Sequence, residues 1–361
     1  MVGDTFLRLI VGRGRSRRRL SIMLLISFVV VPIPAERLTD LQSRTGPAVA
    51  GVAAAQAGWA ERPPLHVARG GLDVATVNGT IVIMGGFDPH EPRTFDEVEG
   101  RQVTGDGAWR QLAPMPTRRA NPAAAALGGK VYVAGGFPSN GSAGTDVVES
   151  YDPQTDTWST VTKLPAGRGA AAAAALNGLL YVAGGYVAGP AGGAVSASVV
   201  AYDPSTRIWT AVAPMPTARW RLRLVAAGGR LFAIGGSSTQ ETSLTTVELY
   251  DPATNTWTTV APMSQARSVP GVVVAHQGSD ELIVVVGGCH IINGQGLPFW
   301  ASTEVYSVNT GRWRTVQAQL PRGRCSLGSA LEADGSVLAI SGGVDDNGVV
   351  TATAEVHALK L

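Results

Sequence analysis

A Gly-Gly pair closes an apolar run six times: IVIMGG at Gly85-Gly86, VYVAGG at Gly135-Gly136, YVAGG at Gly184-Gly185, LFAIGG at Gly235-Gly236, VVVGG at Gly287-Gly288 and LAISGG at Gly342-Gly343. The spacings are 50, 49, 51, 52 and 55 residues. Tryptophan keeps the same beat at Trp59, Trp109, Trp158, Trp209, Trp257 and Trp313. Tyr-Asp-Pro recurs at Tyr151, Tyr202 and Tyr250, each tyrosine seven residues before its tryptophan, and Tyr306 keeps that distance from Trp313. A unit of this length cannot bury its apolar face alone, so such units stack. Glycine stands at 45 of 361 residues, against a usual fraction of roughly 7%. No Gly-X-Y period accompanies it, which excludes collagen and leaves tight turns between short strands.

One unit is legible. A short apolar strand ends at a two-residue turn such as Asn78-Gly79, Gly128-Gly129 or Asn177-Gly178. Such pairs supply the positive φ of a tight hairpin. The next strand is rich in β-branched residues and ends at Gly-Gly. A variable loop leads to a third strand ending in Tyr-Asp-Pro, where Asp-Pro and a following Thr or Asn build a turn. The fourth strand carries the tryptophan. Four antiparallel strands make one propeller blade. Ala170–Ala175 has strong helix propensity, but it is too short for a free-standing helix. It occupies the first-strand slot, where the crowded axis demands small side chains.

These features resemble the kelch-repeat family, and the resemblance covers residues 58–361. It implies an all-β, six-bladed propeller. Three units depart from the pattern: the first has Gln102 in the tyrosine slot, the sixth has His357, and the third carries Val199 where its neighbours place glutamate. Trp59 lies ahead of the first unit, while the sixth unit ends at Leu361 without a tryptophan. The N-terminal strand is therefore expected to pair with the strand around Glu355–His357, completing the last blade and protecting its edge.

Residues 1–35 read as a signal peptide: a basic head (Arg13, Arg15, Arg17, Arg18, Arg19), then an apolar run from Leu20 to Ile33, then Ala35. That run is shorter than the ~18–20 residues of a membrane span. An extracytoplasmic protein with no span in its mature chain is expected, with residues 36–57 as a linker. Six of the 29 basic residues lie in the first 35 positions with one acid, Asp4, leaving 23 basic against 26 acidic residues. A nucleic-acid partner needs a concentrated basic face, which is missing here.

Catalytic motifs are absent: no G-x-S-x-G, H-E-x-x-H, P-loop or C-x-x-C. The five histidines do not pair at metal spacing, so neither metal nor cofactor is expected. The family also includes copper radical oxidases, whose tyrosine–cysteine crosslink and paired histidines have no counterpart in this pattern. Bacterial sialic-acid mutarotases are the nearer enzymatic alternative, because an acid and a base flanking a sugar ring leave little signature. The reading that leads is a monomeric binding module for a protein or carbohydrate ligand.

One face carries the long loops after Gly-Gly: 87–96, 137–146, 186–197, 237–245, 289–302 and 344–350. Variable loops on a repeated frame are where binding concentrates. His290 and Trp300, in the fifth loop, are ligand candidates; Trp300 is off the beat, and packing on its own loop is its other reading. Arg69, Arg119, Arg168, Arg219, Arg267 and Arg324 recur once per unit at the start of the first strand. They are expected to encircle the mouth of the axial channel. In kelch domains of eukaryotic ubiquitin-ligase adaptors, arginines at the matching slot help hold acidic peptides, so the resemblance implies an acidic ligand. The competing reading ties these arginines to Glu149, Glu248, Glu304 and Glu355, two residues before the tyrosine slot. Cys289 and Cys325 fall on neighbouring units of the same face, close enough either to bridge or to pack as two small apolar side chains.

Overall fold

The computed structural model describes residues 58–90, 93–104, 107–139, 143–187, 193–293, 295–346 and 349–361. The expected signal peptide (1–35) and linker (36–57) lie outside the described residues. Five antiparallel four-stranded sheets and a sixth, in which the short strand Arg324–Cys325 adds a fifth member, form the blades among the described residues. Blade one comprises Asp73–Val77, Thr80–Met84, Val98–Gln102 and Arg110–Leu112. Blades two to five repeat this order, with inner strands Ala123–Leu127, Ala172–Leu176, Arg223–Ala227 and Gly271–Gln277. Blade six comprises Gly328–Leu331, Val337–Asp346, Val349–Leu359 and, from the other end of the chain, Ala60–Arg62. The alanine stretch of blade three is an inner strand despite its helix propensity, because tertiary packing overrides a weak local preference.

Apolar side chains on the two faces of each sheet pack against the adjacent blades. Ala125 and Tyr132 of blade two share a core cluster with Ala173 and Tyr202 of blade three. Fully burying one such Val, Leu or Ile side chain contributes roughly 1.5–3 kcal/mol. The recurring tryptophans pack between blades: the indole nitrogens of Trp158, Trp257 and Trp313 donate to Ala113, Ala213 and Ala261 carbonyls of the preceding blade at 2.7–2.8 Å.

The expected pairing of the N-terminal strand is present, with Ala60 opposite Ala358, Glu61 opposite His357 and Arg62 opposite Val356. Glu332 ties this seam together. It accepts from Arg62 at 3.0–3.1 Å and from Arg101 at 2.6 Å. The seam also explains a departure from the repeat. Ile81 faces Arg101 as Val131 faces Tyr151, so Arg101, not Gln102, holds the tyrosine slot of blade one. It lies over Trp109 at 5.3 Å while reaching Glu332 of blade six.

Backbone geometry makes two further corrections. Ser341 and Gly342 have φ of 57° and 107°, matching 66° and 111° at Gly85 and Gly86. Ser341-Gly342 therefore does the work assigned to Gly342-Gly343. With that shift His357, opposite Ala339, takes the glutamate position rather than the tyrosine slot. In blade three Val200, not Val199, stands at the glutamate position, opposite Val182.

The second residue of each pair ties its blade to the next. Its N–H donates to the carbonyl of the recurring arginine in the next blade: Gly86 to Arg119, Gly136 to Arg168, Gly185 to Arg219, Gly236 to Arg267, Gly288 to Arg324 and Gly342 to Arg69, at 2.7–3.0 Å. A Cβ on Gly86 would also run into the Gly70 carbonyl.

Candidate functional site

The recurring arginines are not at an open mouth. Arg69, Arg119, Arg219, Arg267 and Arg324 are 0% exposed and Arg168 is 2% exposed. Each of five meets an acid: Arg69–Glu99 at 2.5 Å, Arg119–Glu149, Arg219–Glu248 and Arg324–Glu355 at 2.7 Å, and Arg267–Glu304 at 3.0 Å. Burial pushes the guanidinium groups of Arg69, Arg119, Arg219 and Arg267 below their ordinary range, and the adjacent glutamate opposes that shift. Nη1 of Arg119 donates to the Gly135 and Val147 carbonyls at 2.8 and 3.1 Å, so the side chain locks its own blade internally. The expectation of six guanidinium groups lining the channel mouth is thereby corrected: the repeated arginine is a structural strut. Glu99, its partner in blade one, escaped the sequence reading because Arg101 displaces the tyrosine that marks the slot.

The mouth itself is built two residues further on. Gly71, Asn121, Ala170, Arg221, Val269 and Ser326 all have φ between 44° and 63°. Their amides form a cycle. Asn121 N donates to Gly71 O, Ala170 to Asn121, Arg221 to Ala170, Val269 to Arg221, Ser326 to Val269 and Gly71 to Ser326, at 2.7–3.1 Å. Left-handed backbone at Ala, Arg, Val or Ser is strained by about 1–3 kcal/mol each, and this ring of hydrogen bonds holds it.

Two residues further still, the same register places Asp73, Ala123, Ala172, Arg223, Gly271 and Gly328 around the axis. Four are small, and the two large ones carry opposite charge on opposite blades. Arg223 Nη1 lies 3.6 Å from Asp73 Oδ1. Arg223 also donates to Pro270 O of blade five at 2.7 Å and Leu327 O of blade six at 3.0 Å. Asp73 accepts from Ala124 N of blade two at 2.8 Å. This crossbar was missed from sequence; comparing residues four after each arginine would have found it. The surrounding cavity is about 110 Å³, below the roughly 300–1,000 Å³ of a drug-sized ligand site. The crossbar thus fills the axis and leaves no room there for a ligand of that size.

That face differs from blade to blade. The ring of Phe87 lies over Gly71, and that of Phe137 over Gly169; a Cβ at either glycine would strike the ring. Tyr186 is 5.8 Å from Trp220, and the Arg221 guanidinium lies 3.8 Å from the Trp220 ring centre. Phe87, Phe137, Tyr186, Trp220 and Arg221 are all half-buried. Burial brings the Arg221 guanidinium down to about 10, opposed by Glu241, so it is charged at neutral pH. Glu241 acts on it only through space, and no acid is hydrogen-bonded to it among the described residues. Blades five and six carry the Cys289–Cys325 disulfide, with Cα atoms 5.1 Å apart. His290 and Trp300 stack at 6.1 Å, and the Trp300 indole donates to Ala266 O at 3.0 Å. Trp300 thus stacks on His290 of its own loop and is tied to the segment before Arg267.

The disulfide gives an expected result. It joins positions 36 residues apart, and loop-closure arithmetic for that span gives about 4 kcal/mol. Denatured, unreduced protein should show no free thiol by Ellman titration, and reduction should shift the urea midpoint downward. Two titratable thiols before reduction would rule the bridge out.

The fold and the repeated Gly-Gly, tyrosine and tryptophan positions place the chain in the kelch-repeat family. Two family models match: the KLHDC2/KLHL20/DRC7 Kelch-repeats domain over residues 59–236 and the Kelch motif over residues 221–264. Among solved structures the chain is similar to one titled "Structure of YjhT", with a TM-score of 0.69 at 19% identity, over 83% of this chain and 97% of that one. No curated protein matches the sequence.

Proposed function

We propose that the protein is a binding module whose ligand docks on the long-loop face, over the channel mouth, and presents an acidic group beside an apolar surface. Arg221 carries this reading: a charged guanidinium in left-handed backbone, stacked on Trp220, with Glu241 near enough to favour its charge but no acid hydrogen-bonded to it among the described residues. Strain held by its surroundings is a pointer to function. The aromatic rings of Phe87, Phe137 and Tyr186 extend the apolar part toward blades one to three. An acidic glycan and an acidic peptide share this chemistry. Disulfides persist in oxidising compartments, so the Cys289–Cys325 bridge supports the extracytoplasmic location expected from residues 1–35.

The test is a panel of uronic- and sialic-acid glycans and Asp/Glu-rich peptides titrated against the protein by calorimetry. One class should bind, more weakly as salt rises. Arg221→Gln should weaken that binding by about 10–100-fold, the worth of a charge-assisted hydrogen bond, with an unchanged melting temperature. Binding unaffected by Arg221→Gln and Trp220→Ala would place the site elsewhere.

A further inference from the structure

Five of the six strut arginines meet a carboxylate, and Arg168 meets none among the described residues. Val200 stands where blades one, two, four and five place glutamate. Ala166 stands where Thr117 and Thr217 each donate a hydroxyl to that glutamate in blades two and four. Arg168 nevertheless keeps the strut position at 2% exposure. All its side-chain hydrogen bonds leave from Nη1: to Gly184 O and Ser198 Oγ at 3.2 Å and Ser198 O at 3.5 Å. Nε is buried without a partner, and Nη2 makes no hydrogen bond.

We propose that the free Nε–Nη2 edge of Arg168 holds a small monovalent anion, a halide or a carboxylate the size of formate, in place of the missing glutamate. Blade five supplies the template. There the same edge of Arg267 grips one oxygen, Glu304 Oε1, with Nε at 3.1 Å and Nη2 at 3.0 Å. A buried cation without a counter-charge is strongly unfavourable. Burial lowers the Arg168 guanidinium only to about 10, so it does not escape by deprotonating at neutral pH. A guanidinium edge suits an oxyanion or a halide, and the adjoining Ala166 and Gly167 are only half-buried. This site is separate from the mouth and owes nothing to the ligand bound there.

Two measurements test it on the whole protein. Crystals soaked in sodium bromide should show an anomalous peak at hydrogen-bonding distance from Arg168 Nε and Nη2. Sodium chloride should raise the melting temperature by a few degrees over sodium methanesulfonate at equal ionic strength, because an ion bound only by the native state stabilises it. The rise should vanish in Arg168→Met and in Val200→Glu, which supplies a tethered carboxylate. Arg168→Met leaves no acid behind and decides the matter if Val200→Glu does not fold. No peak at Arg168 would overturn the proposal. So would a peak with equal chloride responses in wild type and Arg168→Met, which marks an adventitious ion only.

Discussion

Deleting residues 58–64 should lower the melting temperature by on the order of 10 °C. The deletion removes the outer strand of blade six, whose three pairs join the two ends of the chain. It takes away Arg62, leaving Glu332, 8% exposed, with Arg101 as its remaining hydrogen-bonded arginine. It also removes Trp59, which packs against the buried cluster that includes Leu320, Val337 and Ala339, and loss of a large aromatic costs about 3–5 kcal/mol. Trp109 of blade one loses the Pro63 carbonyl that accepts from its indole at 3.0 Å. The strand Val349–Leu359 would then present a bare edge, so aggregation should rise alongside. Calorimetric scans of the two chains make the comparison, and superimposable curves would show that the seam contributes nothing.

The strut arginines give the second large effect, and it differs between blades. Arg119→Met should destabilise by about 3–5 kcal/mol, because it strands Glu149, 1% exposed, without its cation. Adding Glu149→Leu should recover most of the loss, since an apolar pair of similar volume often replaces a buried ion pair at little cost. Arg168→Met should cost less than about 1 kcal/mol in chloride-free buffer, because no acid is left behind. Urea unfolding of the four proteins reads the values directly. Equal losses for Arg119→Met and Arg168→Met would contradict the strut assignment.

What could be read from sequence follows what repeats. Trp59, Trp109 and their successors announce the blade count and the origin of the last strand, because every blade needs the same tryptophan packing. The Gly-Gly pairs mark a backbone conformation, and where serine adopts it at Ser341 the signal shifts by one residue. The recurring arginines were legible as a set but not as struts, since spacing along a strand does not say whether a guanidinium faces the axis or folds back into its own blade. The mouth was harder still. Arg221 and Trp220 share their positions with Ala170 and Gly169 of blade three, so a search for shared residues passes over them. Binding residues on a repeated frame are the ones that fail to repeat.

The Asp73–Arg223 crossbar bears on how the ring assembles. In a ring of blades each unit otherwise touches only the one before and the one after, so order can spread stepwise along the chain. The crossbar joins positions 150 residues apart in sequence, and such a contact has a high loop-closure cost until the intervening chain is in place. Its arginine also needs Pro270 and Leu327, and its aspartate needs Ala124. The linkage therefore cannot form in a half-ring of blades one to three or four to six. It becomes available only at final assembly, as a latch that rewards the complete circle over any fragment of it.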